Sequence, residues 1–298
     1  MQITPIEFES TDGHLLAGRW FTAEHTADDG PVTVMHPATA VPQGYYDQYA
    51  EHLVGQGHTV FTYDYRGIGG SRRGSIKGDA ISMSDWMFKD FRAACDQGRG
   101  RAAGRPLFYV GHSFGGHAML RTGALHEPTG SITVASGSGY YGLAPAHLRR
   151  RRMWQLKMLM PTTARLIGYL PGWMGTSEDL PGGVAREWAR RCSTPGYFTR
   201  EERELIRSIM APLEVPNLHL SVTDDTYITP EATADFVHLL PRAPTEHSVY
   251  RPEDLGASAI GHFRGFRRGA GQGLWAVMDA FFERTLSGSP ARMNAHAA

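Results

Sequence analysis

From residue 31 onward, short apolar runs alternate with stretches whose apolar positions recur every three or four residues. The runs are PVTVM at 31–35, TVFTY at 59–63, LFYV at 107–110, ITVA at 132–135, LHLSV at 218–222 and EHSVY at 246–250. Most are too continuous for a half-exposed strand and suit a sheet covered on both faces. Between them, residues 45–56 carry apolar side chains at Tyr45, Tyr49 and Leu53 and close on Gly55 and Gly57, a helical pattern. Ser84 reads as the N-cap of a second helix through Trp86, Phe88, Phe91 and Ala94 to Gly98. Helices are also expected over 114–122, 230–240 and 274–286. Ahead of this series, residues 3–8 and 14–21 predict a hairpin around Asp12-Gly13. Strand–helix alternation implies right-handed crossovers and a mostly parallel α/β sheet with helices on both faces.

The rhythm breaks between residues 140 and 211. This stretch predicts a helical cap inserted into a core made of 1–139 and 212–286, and the small polar segment 287–298 predicts a flexible tail. The insertion opens with Arg149, Arg150, Arg151 and Arg152. Four consecutive positions point around a helix, which favours a solvated face over a site for an anionic head group. The run from Met153 to Met160 has two readings, the wall of an apolar ligand pocket or the cap's own core.

Charge excludes more than it suggests. Thirty Lys and Arg balance thirty Asp and Glu, so no nucleic-acid or anionic-membrane partner is expected. Two distant cysteines suit a reducing compartment. There is no secretory signal pattern and no run approaching the ~20 apolar residues of a spanning helix. The expectation is a cytoplasmic protein without an integral membrane segment. No metal-ligand spacing or nucleotide loop occurs, so neither metal nor cofactor is expected. The sequence leaves the oligomeric state open.

The candidate chemistry begins at Gly111-His112-Ser113-Phe114-Gly115, a G-x-S-x-G pattern. Glycine-poor versions of such a turn would crowd a serine raised on a strained backbone. The pattern alone is common by chance. Its setting is informative, because LFYV precedes it as a strand and FGGHAMLRT follows as a helix. Ser113 then stands at the carboxyl end of a parallel strand and at a helix N-terminus, which favours negative charge.

Together with the run HPATAVPQGYYDQYAEHLVGQGHTVFTYDYRGIGGS at 36–71, this resembles the α/β-hydrolase superfamily, and within it predicted serine hydrolases related to lysophospholipases and serine aminopeptidases. The resemblance spans about Ile3 to Leu286 and implies the α/β-hydrolase fold. It also implies an oxyanion hole from the backbone N–H groups of Phe114 and of Ala38, with Thr39 the second choice, since Pro37 has no N–H. Asp64 and Arg66, in DYRGIG, are expected to lock a turn.

The superfamily's order is serine, acid, histidine. An ungapped alignment over VPNLHLSVTDDTYITP puts the acid at Asp225, with Asp224 the rival one residue away. His262, in AIGHF between the last strand and last helix, is the implied base. His247 falls within a strand, His296 in the tail, and His112 is expected to pack against the sheet or turn outward. The implied activity is hydrolysis of a carboxylic ester, thioester or lactone of a small-molecule acyl substrate through a Ser–His–Asp triad and acyl-enzyme. The alternatives are an acyltransferase or peptidase on the same triad, or a hydrolase-fold protein that binds without turnover.

Overall fold

The computed structural model describes residues 1–24, 29–242 and 244–288. An antiparallel pair, β1 (Gln2–Glu9) and β2 (Leu15–Thr22), turns at Ser10–His14 as the hairpin pattern predicts. Then follow β3 (Val32–His36), α1 (Asp47–Gly55), β4 (Thr59–Tyr63), α2 (Met83–Asp85), α3 (Phe91–Ala102), β5 (Leu107–His112), α4 (Phe114–Thr122) and β6 (Gly130–Val134). A π-helical stretch, Trp86–Asp90, joins α2 to α3. The helix starts two residues earlier than expected. Ser82, not Ser84, is its N-cap, because the Ser82 hydroxyl accepts the Asp85 N–H and the Asp85 carboxylate accepts the Ser82 N–H. Ser84 instead bonds through both its N–H and its hydroxyl to Glu187.

After β6 the chain leaves the sheet. It forms α5 (Ala146–Trp154) and α6 (Met160–Ile167), joined by a π turn at Gln155–Leu159, then a ribbon of β7 (Tyr169–Leu170) and β8 (Leu180–Pro181), then α7 (Gly182–Cys192) and α8 (Arg200–Met210). It returns through β9 (Asn217–Val222), α9 (Pro230–Val237), β10 (Thr245–Tyr250) and α10 (Gln272–Leu286). The eight main strands lie in the order β1-β2-β4-β3-β5-β6-β9-β10, and all pairings from β4 to β10 are parallel. Of the segment expected to be a flexible tail, all but Ser287 and Gly288 lies outside the described residues.

The apolar runs explain how the sheet is buried. Successive side chains of a strand face opposite ways. Leu107 and Tyr109 therefore join one core, with Phe91, Met119 and Phe236, while Phe108 and Val110 join the other, with Tyr49, Leu53 and Phe282. On α10 the inward positions Leu274, Trp275, Met278, Phe281 and Phe282 follow the 3.6-residue repeat. A sheet pinned between two helical layers holds its strand ends rigidly. The loops at the carboxyl ends of β3, β5, β9 and β10 converge there, and the candidate site is built from them.

Candidate active site

Ser113 sits between β5 and α4 with φ 50 and ψ −108. Positive φ is costly for a residue with a Cβ, and it persists because both flanking elements are fixed. A Cβ at Gly111 would lie 2.7 Å from the Gly116 nitrogen, and one at Gly115 would run into the His36 carbonyl oxygen. Those two approaches are the local reason for glycine on both sides of the turn.

The structure brings the three candidate residues into one chain of contacts. His262 Nε2 is 3.1 Å from Ser113 Oγ, and His262 Nδ1 is 2.8 Å from Asp225 Oδ2. Asp225 Oδ1 accepts the N–H groups of Tyr227 at 2.7 Å and Ile228 at 2.9 Å. With Oδ1 held by two backbone donors, Oδ2 is left to the imidazole. Asp224 points elsewhere. Its carboxylate accepts the N–H groups of Ile260 at 2.8 Å and Gly261 at 2.9 Å, bracing the loop that carries His262. His247 is in β10, bonded to Ser221 Oγ at 3.0 Å, and His296 is outside the described residues.

The expectation for Ala38 needs correcting. Its N–H donates to the Tyr46 hydroxyl at 2.9 Å, so it has no free hydrogen for an oxyanion. The N–H groups of Thr39 and Phe114 have no acceptor among the described residues. Thr39 lines the same cavity as Ser113 and His262.

The Tyr46 contact extends into a relay that sequence reasoning missed. Tyr46 Oη lies 2.9 Å from His112 Nδ1, and His112 Nε2 lies 2.8 Å from the His262 carbonyl oxygen. A carbonyl only accepts, so His112 carries its proton on Nε2 and receives the tyrosine hydrogen on Nδ1. Burial and the neighbouring His262 lower the His112 pKa to about 3, which keeps it neutral. His112 therefore turns inward and ties the loop after β3 to the loop after β10. Only the aromatic content of GYYDQY hinted at this partner. Asp64 accepts from Gln43 N at 2.6 Å and from Gly70 N at 2.9 Å, and Arg66 pairs with Asp90 and Asp12. Both therefore hold turns, as expected.

Above Ser113 lies a cavity of about 230 Å³. Its walls include Leu156, Leu159, Met160, Leu170, Met174 and Trp188 from the insertion. Half of the run from Met153 to Met160 thus lines the cavity, while Met153, Trp154 and Met158 are exposed. His117 lies in the floor and donates from Nε2 to the Gly137 carbonyl at 2.6 Å; burial lowers its pKa to about 4, so it too is neutral. Cys95 and Cys192 are free and buried, and burial raises the Cys192 thiol to about 12, an unreactive state. Among the described residues no group of three or more His, Cys, Asp or Glu gathers as metal ligands, and no helix is long and apolar enough to cross a membrane.

A mostly parallel eight-stranded sheet with a serine on a strained turn at the end of a central strand defines an α/β hydrolase. The chain belongs to the serine aminopeptidase S33 family, whose model matches residues 32–193, a little over half of its length. Solved structures agree on the fold. GrgF, an α/β hydrolase from Penicillium sp. sh18, is 19% identical with a TM-score of 0.62, covering 97% of this chain and 99% of that one. A soluble variant of monoglyceride lipase from Saccharomyces cerevisiae, solved with a substrate analog, is 16% identical with a TM-score of 0.68, covering 95% of each chain. The esterase domain of a Rhodothermus marinus protein is 19% identical with a TM-score of 0.56, covering 95% of this chain and 99% of that one. No curated protein matches the chain significantly.

Proposed function

We propose that this hydrolase cleaves carboxylic esters or thioesters through Ser113, His262 and Asp225. The observation that carries the reading is the unbroken line from Asp225 Oδ2 through the imidazole to Ser113 Oγ, opening into an apolar cavity. Asp225 holds the proton on Nδ1, which leaves Nε2 free to accept. Ser113 Oγ attacks the acyl carbon as its proton moves to Nε2. The carbonyl π electrons move to oxygen, and that oxyanion rests on the N–H groups of Phe114 and Thr39. Each such donor lowers the barrier by roughly 3 kcal/mol. Collapse expels the alcohol or thiol, which takes the proton from Nε2. Water then repeats the sequence on the acyl-enzyme and releases the acid. The insertion at 140–211 acts as a cap whose inner side holds the acyl chain.

Labelling with a fluorophosphonate probe and hydrolysis of 4-nitrophenyl esters test this directly. Wild type is expected to label at Ser113 and turn over. Ser113→Ala is expected to do neither while unfolding at a similar denaturant concentration. Labelling of Ser113→Ala at wild-type rate would overturn the assignment, and labelling without turnover of any ester or thioester would favour peptide substrates or acyl transfer.

A further inference from the structure

The insertion contributes one continuous helical run to the cavity, and that run is divided by chemistry. Arg151, Arg152, Gln155, Leu156, Leu159 and Met160 all line the cavity, a spacing that puts them on one face. Arginine stands at one end of the face and leucine and methionine at the other, about 12 Å apart at the rise of a helix. Arg149 turns away and donates to the Ala144 carbonyl. The four-arginine run is therefore not uniformly a solvated face.

Arg152 is held in place without being neutralised. Its guanidinium stacks 4.7 Å over the Tyr227 ring and donates to the Thr226 carbonyl and hydroxyl oxygens. A guanidinium has five N–H donors, so these bonds fix its plane and leave donors over. No aspartate or glutamate lines the cavity, and neither Arg151 nor Arg152 pairs with a carboxylate among the described residues. Burial lowers the Arg152 pKa, and Asp225, whose field reaches it, is already bonded to His262. A half-buried cation with no carboxylate bonded to it gains when an anion arrives.

Position says which part of a substrate the cation meets. The Tyr227 ring centre is 5.3 Å from that of His262. In hydrolysis, His262 returns its proton to the leaving group, so the leaving group lies on the His262 side. The sequence in space is then Ser113, His262, Tyr227, Arg152.

We propose that the natural substrates carry an anionic group, a carboxylate or phosphate, on the leaving-group side, held by Arg152 with Arg151, while an apolar acyl chain runs along Leu156, Leu159 and Met160. This rests on the esterase reading above.

The test compares 4-octanoyloxybenzoate, which releases an anionic phenol, with 4-octanoyloxybenzamide, its neutral counterpart, and adds 4-octanoyloxyphenyl phosphate as the phosphate arm. The readout is the anionic-to-neutral ratio of kcat/KM, compared between wild type and each variant so that intrinsic leaving-group reactivity cancels. Arg152→Met is expected to lower the ratio about 10- to 100-fold, the range of one charge-assisted pair. Arg152→Lys is expected to lower it less, and Arg151→Gln by a few-fold. Whichever anion shows the larger drop names the group. In wild type, raising the salt from about 0.05 to 0.5 M should also lower the ratio, a readout independent of whether a variant folds. A ratio unmoved by the variants and by salt would overturn the proposal while leaving the esterase reading intact. Failure to hydrolyse any of the three esters would remove both.

Discussion

Asn substitutions at the two adjacent aspartates should damage the enzyme in different ways, and the structure says how. In Asp225→Asn, the side-chain oxygen stays with the Tyr227 and Ile228 N–H groups, because both donors need an acceptor. The amide nitrogen then faces His262 Nδ1, which the carboxylate meets at 2.8 Å. Two N–H groups cannot share that contact, so the imidazole moves its proton to Nε2 and can no longer accept one from Ser113. The expected cost is about 10⁴ in kcat, with KM little changed, as for this change in comparable triads. In Asp224→Asn, one of the two acceptors for Ile260 and Gly261 becomes a donor. The loss is one hydrogen bond to a charged group, about 1.5–3 kcal/mol, borne by the loop rather than by the tautomer. That variant should unfold at lower denaturant and lose about ten-fold in kcat/KM. The assay is steady-state hydrolysis of 4-nitrophenyl butyrate with equilibrium urea unfolding of each variant. A loss near 10⁴ in a fully stable Asp224→Asn, with a mild Asp225→Asn, would refute the tautomer argument and move the acid to Asp224.

Other outcomes follow from the same geometry. Tyr46→Phe removes the hydroxyl that joins Ala38 N to His112, and should lower stability by about 1–3 kcal/mol and kcat more than KM; unchanged urea unfolding would show that the relay carries no weight. Substituting Leu156, Leu159 and Met160 by alanine should shorten the preferred acyl chain in a C2–C12 ester series while acetyl ester hydrolysis changes much less; an unaltered chain-length profile would assign that face to packing alone. Acid should unfold the protein early. Burial holds the pKa of His36, His112 and His219 at about 3 and of His58 and His117 at about 4, below the 6.5 of the unfolded chain. Below pH 6.5 the unfolded state binds protons that the folded state refuses, so stability present above that pH is lost as pH falls, approaching about 7 kcal/mol per unit when all five contribute fully. Asp64 and Asp90, raised by burial, act in the opposite direction. Urea midpoints that stay flat from pH 7 to 5 would contradict the burial of these rings.

What the sequence determined by itself is what local chemistry dictates. Alternating apolar runs located the strands of the sheet, because a strand buried on both faces is built mainly of apolar and β-branched side chains. Gly111 and Gly115 marked the turn of Ser113 because no Cβ fits there. His262 was singled out by the resemblance and by its place between the last strand and the last helix, and it lies 3.1 Å from Ser113 Oγ. The misreadings, and the choices the sequence left open, were all questions of direction. Ser82 and Ser84 are both acceptable caps, and only the reciprocal bond with Asp85 chooses. Ala38 and Thr39 are adjacent amides, and which one is free depends on a tyrosine eight residues on that folds back to one of them. Asp224 and Asp225 differ in which part of the histidine loop they meet. Four arginines in a row look alike until a helix is laid over a cavity and two of them face in. Residue type and spacing fix which groups are available. Only the packed tertiary structure fixes where each one points, because that depends on partners far away in sequence.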